Sequence, residues 1–344
     1  MPASSKKSRR HRKSVMQPTI ADVALEAQVS AITVSRVINS TGSVRPATRE
    51  RVEAAIDKVG YVRNMLAGSL ASASSRFIAV IVPSLSNIVF IEVISGLQSE
   101  FEKQGYQILL ANTDYNLDRE CQLVRTFLGW SPSAVVITGL RHNAACQRIL
   151  EEWDGPIAEI MELGDAIDLN IGLDHRAAGR CMARYLLEKK HRNIVYVAAQ
   201  IAQDYRAGLR YEGHKAELEA VGLNAPLFDM NHLGQFETGA RSLDMVLADY
   251  PDATAIHFAN DDLATGALLH AQRQGIRVPE TIAIAGFNGL QIGQHVTPPL
   301  TTIISPRRTI GRATAEHVIA RIEGRHLQNN QTDVGFEMSI GDSA

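Results

Sequence analysis

The sequence has little of what staples or anchors a fold. Its 344 residues include three cysteines, Cys121, Cys146 and Cys181, an odd number set far apart. Such spacing excludes a disulfide framework, offers no zinc cluster and suits a reducing cytoplasm. No stretch approaches the roughly 20 apolar residues that a membrane-crossing helix needs, so no membrane association is expected. The first residues lack the apolar core of an export signal, and their Arg- and Ser-rich run has no apolar face such as an amphipathic transit peptide shows. There is no Gly-x-Gly-x-x-Gly after a strand, no Gly-x-Ser-x-Gly and no His-Glu-x-x-His. The 11 histidines stand at no metal-ligand spacing. The expectation is therefore of no enzyme, no cofactor and no metal.

What is present is a globular composition, 45% hydrophobic and 21% charged, in a length that suggests two or three domains. The net charge of -2 conceals a division: residues 1–76 hold 13 Lys and Arg against 5 Asp and Glu, and residues 77–344 hold 22 against 32. A basic head on an acidic body is the signature of a nucleic-acid-binding module joined to something else. Residues 1–17 form a basic arm with no acid, which reads as a solvated, disordered tail and equally as a source of non-specific phosphate contacts.

Residues 18–62 read as three short helices. Thr19, with Asp22 three residues on, resembles a helix start, and Ala21, Val23, Ala24 and Ala27 are small packing residues. After the turn Gln28-Val29-Ser30, Ser30 is a good N-cap for a second helix. At about 100° per residue, Val34, Val37 and Ile38 share one arc of that helix. Ala31, Ile32, Ser35, Arg36 and Asn39 share the other, as a recognition helix in the major groove requires. Arg36 has the forked donors that read guanine, and Ala31 and Ile32 suit a thymine methyl. Pro46 near its start, Gly60 after its end and a stripe of Val52, Ala55, Ile56 and Val59 mark the third helix.

These residues resemble the LacI/GalR repressor family. The resemblance is carried by Thr19-Ile20-Ala21-Asp22-Val23-Ala24, Val29-Ser30, Thr33-Val34-Ser35-Arg36-Val37-Ile38-Asn39, Val44, Thr48-Arg49, Val52, Ala55 and Gly60-Tyr61. Gln28 replaces the usual Gly, and Arg63 the usual Pro. Thr19, Ser30 and Thr33 complete the expected DNA-contact set. Residues 63–75 read as a connector, with Leu66 and Leu70 on one potential helical face but with Gly68 and Ser69 making a short helix marginal. The resemblance implies a hinge helix that forms on DNA, with Asn64, Ala67 and Leu70 facing the duplex and Leu70 wedged into the minor groove.

Residues 76–344 alternate β-rich runs with amphipathic helices. Phe77–Val82, Ala134–Ile137, Asn193–Val197 and Ile282–Ala285 read as buried strands, and Gly105 and Gly275 as helix stops. Repeated βα units imply an α/β fold with two parallel sheets. Ligands in such folds sit beyond the carboxyl ends of the strands. The loops there offer Asn87 and Phe90, Arg141 and His142, Asp174, Arg206 and Arg210, Asn260-Asp261-Asp262 and Asn288-Gly289, a set suited to a sugar-sized ligand.

Phe258-Ala259-Asn260-Asp261, Gly266-Ala267, Val278-Pro279, Pro299-Leu300-Thr301-Thr302-Ile303, Gly311 and Arg321-Ile322-Glu323-Gly324 look like the effector domain of the same family, which is related to periplasmic sugar-binding proteins. The resemblance implies two subdomains, about 76–175 with 304–333 and about 176–303 with 334–344. It places Asp174, Arg210, Asn260 and Asn288 in the cleft between them. Many members have paired aspartates where Asn288-Gly289 stands. Losing those charges beside Arg210 and Arg141 favours an anionic ligand. Pro83-Ser84-Leu85, Asn87, Val89-Phe90 and Gly286-Phe287 with Ile292-Gly293-Gln294 resemble the gluconate-utilisation branch, which implies gluconate, a ketogluconate or a similar sugar acid.

The leading expectation is thus a homodimeric repressor that reads a near-palindromic operator and is released by a small sugar acid. A neutral effector, a corepressor mode and a sugar-binding protein without regulatory role stand as alternatives. The chain's last residues carry no leucine heptads, which favours a dimer over a tetramer.

Overall fold

A computed structural model describes residues 18–38, 42–62, 75–231 and 236–344. The expectations for the arm 1–17 and for Asn39, Asn64, Ala67 and Leu70 lie outside the described residues. The chain divides into two compact units, Met1–Ala73 and Ser74–Ala344.

In the first unit, α1 spans Ile20–Ala27, α2 Ala31–Ile38 and α3 Pro46–Val59. Thr19 and Asp22 close a reciprocal capping box, each side chain accepting from the other's backbone N–H, so two otherwise unpaired amides at the start of α1 are satisfied. Ser30 Oγ accepts from Thr33 N at 3.2 Å and starts α2. Gln28 ends α1 in the left-handed region, φ 52°, which explains why glycine suits that place. Val23, Ala24, Ala27, Val34, Val37, Val52 and Ala55 form the core. Most of the expected apolar arcs pack here, with Ile38 and Ile56 partly buried against them, while Ala21 is exposed; the other arc of α2 is left outward.

The second unit holds two six-stranded sheets. The first contains β1 Phe77–Val82, β2 Gln107–Asn112, β3 Ala134–Thr138, β4 Ile157–Glu162, β5 Leu169–Leu173 and, from far along the chain, β11 Gln331–Asp333. Its order is 2-1-3-4-5-11, and every neighbouring pair is parallel. The second contains β6 Ile194–Ala199, β7 Leu227–Met230, β8 Ala255–Phe258, β9 Ala283–Asn288, β10 Thr301–Ile304 and β12 Glu337–Ser339. It repeats the pattern as 7-6-8-9-10-12, with β12 alone antiparallel. The central strands are buried at nearly every position, which is why they read as unbroken apolar runs rather than alternating ones.

Helices α4 Ile88–Phe101, α5 Leu117–Leu128, α6 Ala144–Glu151, α7 His175–Glu188, α8 Tyr205–Glu219, α9 Phe236–Asp249, α10 Asp261–Gln274, α11 Gln291–His295 and α12 Arg307–Ile322 cover the sheets. The chain passes between the two sheets after β5, after β10 and between β11 and β12.

Three helix pairs meet backbone to backbone. A Cβ on Gly179 of α7 would fall 1.9 Å from the Arg210 carbonyl, and one on Gly213 of α8 would fall 1.9 Å from that of Arg176. Gly239 and Gly266 join α9 to α10, and Gly96 and Gly311 join α4 to α12, in the same reciprocal manner. Any side chain at these points would hold the helices apart.

Candidate functional site

In each sheet the strand order reverses beside its first strand, between β1 and β3 and between β6 and β8, and this is where α/β sheets open a crevice. The loops there start helices. Asn87 caps α4 by accepting from Val89 N at 3.0 Å, Asp204 caps α8 by accepting from Ala207 N, and Asn260 caps α10 by accepting from Leu263 N at 3.0 Å. All three caps line one cavity of about 380 Å³, with Ser84, Ser86, Tyr115, Ala199, Phe236, Asp262 and Asn288. The walls come from both sheets' loops. Three helix N-termini therefore point their partial positive charge toward the same space.

Below the cavity, Arg210 is held from several directions, while its buried Nε has no hydrogen-bond partner. It stacks on the Phe287 ring at 4.1 Å, donates to the Ala259 carbonyl at 2.9 Å, and lies 3.0 Å from His175 Nδ1. His175 Nε2 faces the Met161 carbonyl at 3.1 Å, so Nε2 carries the proton and Nδ1 accepts from Arg210. Burial, then the charges of Arg210 and Arg206, keep His175 well below its ordinary pKa and therefore neutral. The nearest carboxylate to Arg210 is that of the cavity residue Asp204, at 3.9 Å. Asn288, at φ 123°, gives its carbonyl to Arg307 and presents its side chain to the cavity.

Asp261 fixes the neighbouring turn. Its carboxylate accepts from Thr302 Oγ1 at 2.6 Å and from Leu290 N at 2.7 Å. A Cβ on Gly286 would strike it at 2.3 Å, so the Gly286 position admits the carboxylate only when bare. Burial pushes this carboxyl up to about 6, against the hydrogen bonds from Thr302 and Leu290. Burial likewise raises the Tyr115 phenol, helped by the Asp204 charge, while the Asn87 side chain hydrogen-bonds to it.

The sequence-predicted residues divide accordingly. Asn87, Asn260 and Asn288 meet in the cavity, with Arg210 directly behind. Arg206 and Arg141 belong to a neighbouring cluster that joins the two halves. There the Tyr205 hydroxyl donates to Glu162, Leu140 N donates to Glu162 Oε1 at 2.7 Å, Arg206 lies 4.0 Å from Glu162, and Arg141 stacks on Tyr205 at 4.2 Å. Two expectations need correction. Phe90 is packed in the core, 2% exposed, because it lies on the buried face of α4. Asp174 lies outside the cavity wall, its side chain 44% exposed, and it caps α7 through Ala177 N.

The cleft also differs from the basic one expected. Its wall includes the carboxylates of Asp204 and Asp262, while the arginines sit behind it. Asp262, read with Asn260 in the loop after β8, does line the cavity, whereas Ser84, Ser86, Tyr115, Asp204 and Phe236 were missed as site residues. The first four of these follow strands, so position after a strand was a usable signal for them; Phe236 opens α9 and gave none. A wider groove of about 680 Å³ runs past Arg192–Val195 and Asp249–Ala253. It sits at the amino ends of β6 and β8, the edge of the sheet opposite the converging caps.

In the first unit, Ala31, Ile32 and Arg36 are exposed along α2, and Thr33 and Ser35 are half-buried. Ile32 is 66% exposed and so is free to make an apolar contact. Ser30 and Thr33 hydroxyls pair at 2.9 Å, and Thr19 Oγ1 pairs with Asp22 at 2.8 Å.

Residues 19–64 match the family model of bacterial regulatory proteins, lacI family, and residues 75–340 match that of periplasmic binding proteins and sugar binding domain of LacI family. The chain belongs to the LacI family. The HTH-type transcriptional regulator GntR of Pseudomonas aeruginosa is 35% identical over 340 residues, 98% of each chain. The regulator of the same name in Escherichia coli K12 is 32% identical over 328 residues, 95% of this chain and 98% of its own. A crystal structure of a LacI-family transcriptional regulator from Silicibacter pomeroyi superposes with a TM-score of 0.90 at 36% identity, covering 95% of this chain and 99% of that one. As a LacI-family member the chain is a DNA-binding transcriptional regulator and not an enzyme. Among the described residues no helix is long and apolar enough to cross a membrane.

Proposed function

We propose that this LacI-family regulator is a homodimeric, cytoplasmic repressor whose cleft takes a small sugar acid of the gluconate or ketogluconate type, and that filling the cleft releases a near-palindromic operator. The observation that carries the ligand class is the convergence of the Asn87, Asp204 and Asn260 helix caps on one cavity of about 380 Å³. Three helix N-termini, with Arg210 behind them, favour a carboxylate. The amide, hydroxyl and carboxylate groups of Ser84, Ser86, Asn260, Asp262 and Asn288 suit the hydroxyls of a short polyol. The resemblance to the gluconate-utilisation branch points the same way. The wall carboxylates Asp204 and Asp262 favour a second reading, a neutral sugar bound through its hydroxyls.

On the DNA side, Thr19, Ser30, Ala31, Ile32, Thr33, Ser35, Arg36 and Asn39 are the proposed groove contacts, with Asn64, Ala67 and Leu70 added by the hinge. One three-helix head covers a small half-site, so a dimer on two half-sites supplies specificity. Calorimetry with gluconate, 2-ketogluconate, 6-phosphogluconate, glucose and ribose tests the effector. Saturable heat with a sugar acid and none with glucose or ribose is expected. Tight binding restricted to a neutral sugar would replace the first reading with the second.

A further inference from the structure

Three kinds of metal-binding donor that no sequence spacing connects are brought together in the first sheet's helical layer. Glu120 and Cys121 lie in the first two turns of α5, His142 in the loop after β3, and Cys146 in the first turn of α6. A Glu120 carboxylate oxygen, a His142 ring nitrogen and the Cys146 sulfur all fall within 4.8 Å of one another. His142 Nδ1 is 2.7 Å from Glu120 Oε1, and its Nε2 is 3.1 Å from Glu159 Oε1. The Cys121 thiol adjoins that of Cys146. The group is enclosed by Val124, Phe127, Ile137 and Leu150, and His142 and Glu159 are each 2% exposed.

We propose that Glu120, His142 and Cys146 form a zinc-binding site, with the Cys121 thiol, which adjoins Cys146, as the donor for the fourth position. Zinc accepts nitrogen, sulfur and carboxylate ligands together in a tetrahedron, with Zn–N and Zn–O near ~2.0–2.2 Å and Zn–S near ~2.3 Å. Tetrahedral ligands at those lengths sit roughly 3.3 Å apart. The Nδ1···Oε1 contact therefore needs to open by only about half an ångström for the ion to replace the proton it now shares. Glu159 then keeps its place on Nε2–H, the outer carboxylate that orients a metal-bound histidine.

The site would tie α5 and α6 to the loop that carries Leu140 and Arg141. That loop touches Tyr205, on the other half of the unit, so metal occupancy would stiffen a contact beside the cleft. The inference is independent of which small molecule fills the cleft.

The test uses untagged full-length protein, stripped of metal under reducing conditions and titrated with Zn²⁺, or with Co²⁺ as the spectroscopic probe. One equivalent per chain is expected, with a thiolate-to-cobalt charge-transfer band and a rise in melting temperature. Cys146→Ala and His142→Gln, checked for native circular dichroism, should each lower the affinity at least tenfold, and Cys146→Ala should abolish the band. Should one of these fail to fold, Cys121→Ala serves as a further variant, with the band expected to shift or weaken. Absence of stoichiometric binding, binding without the charge-transfer band, or binding unchanged in folded Cys146→Ala would overturn the proposal and leave His142 as an ion-pair centre between two carboxylates.

Discussion

Asp261 is a carboxylate whose burial makes its protonation part of the fold. Its folded-state value of about 6 lies above the ordinary 3.8, so the native chain binds this proton more tightly than the unfolded chain. Its contribution to stability is therefore most favourable at low pH and is lost as pH rises through about 6, by about 3 kcal/mol at most. Asp261→Asn removes that dependence while keeping an acceptor for Leu290 N. Urea unfolding of the two proteins should show the variant gaining on the wild type between about pH 4 and pH 7. A constant difference would mean that Asp261 does not titrate as described. Gln28 offers an opposite case, since its left-handed backbone is strained for a side chain. Gln28→Gly should stabilise the first unit by up to about 1 kcal/mol, read as a higher melting temperature of that unit. At this scale the sequence was informative at Asn87, Asn260 and Asn288, but not at Asp174, which also follows a strand yet caps α7 outside the cavity. It misled at Phe90, because a residue two or three places into a helix faces either the cleft or the core depending on a rotation that loop length alone does not determine.

Elements were the most legible level. The arc of Val34, Val37 and Ile38 on α2 and the unbroken apolar strands report burial directly, because period and face are coupled. The mid-helix glycines were less legible. Gly179 and Gly213 look like helix weaknesses worth about 1 kcal/mol each, yet they let α7 and α8 touch and so bring His175 against Arg210. Gly213→Ala should separate the two helices and lower stability by about 1–3 kcal/mol, with a larger fractional loss of ligand affinity than Ala substitution at an exposed site on α8. Unchanged stability and ligand binding would show that the close approach is dispensable. On α2, Arg36→Ala should relax base preference at one position of each half-site, with an affinity loss of about 1–3 kcal/mol for the preferred sequence. Equal losses on all sequences would make Arg36 a phosphate contact.

At the scale of the molecule, the division of charge between a basic head and an acidic body marks off a nucleic-acid-binding module from the rest of the chain. The two parallel sheets were legible as alternating βα units, whereas their repeated strand order emerges only from the structure. The charge character of the cleft was not, because it depends on which ends of which side chains reach the cavity. Asp204 and Asp262 reach it, whereas Arg206 and Arg210 are drawn back onto Glu162, Phe287 and the Ala259 carbonyl. Ligand can shift DNA affinity only through a difference in how it binds the two arrangements of the body. The most direct measurement is therefore operator affinity by fluorescence anisotropy, with and without saturating gluconate or 2-ketogluconate, for the wild type and for Asn260→Ala. Operator binding by the wild type should weaken at least tenfold when the sugar acid is present, with a much smaller change for Asn260→Ala. Wild-type operator affinity that is unmoved or tightened by every sugar acid would contradict sugar-acid release of the operator.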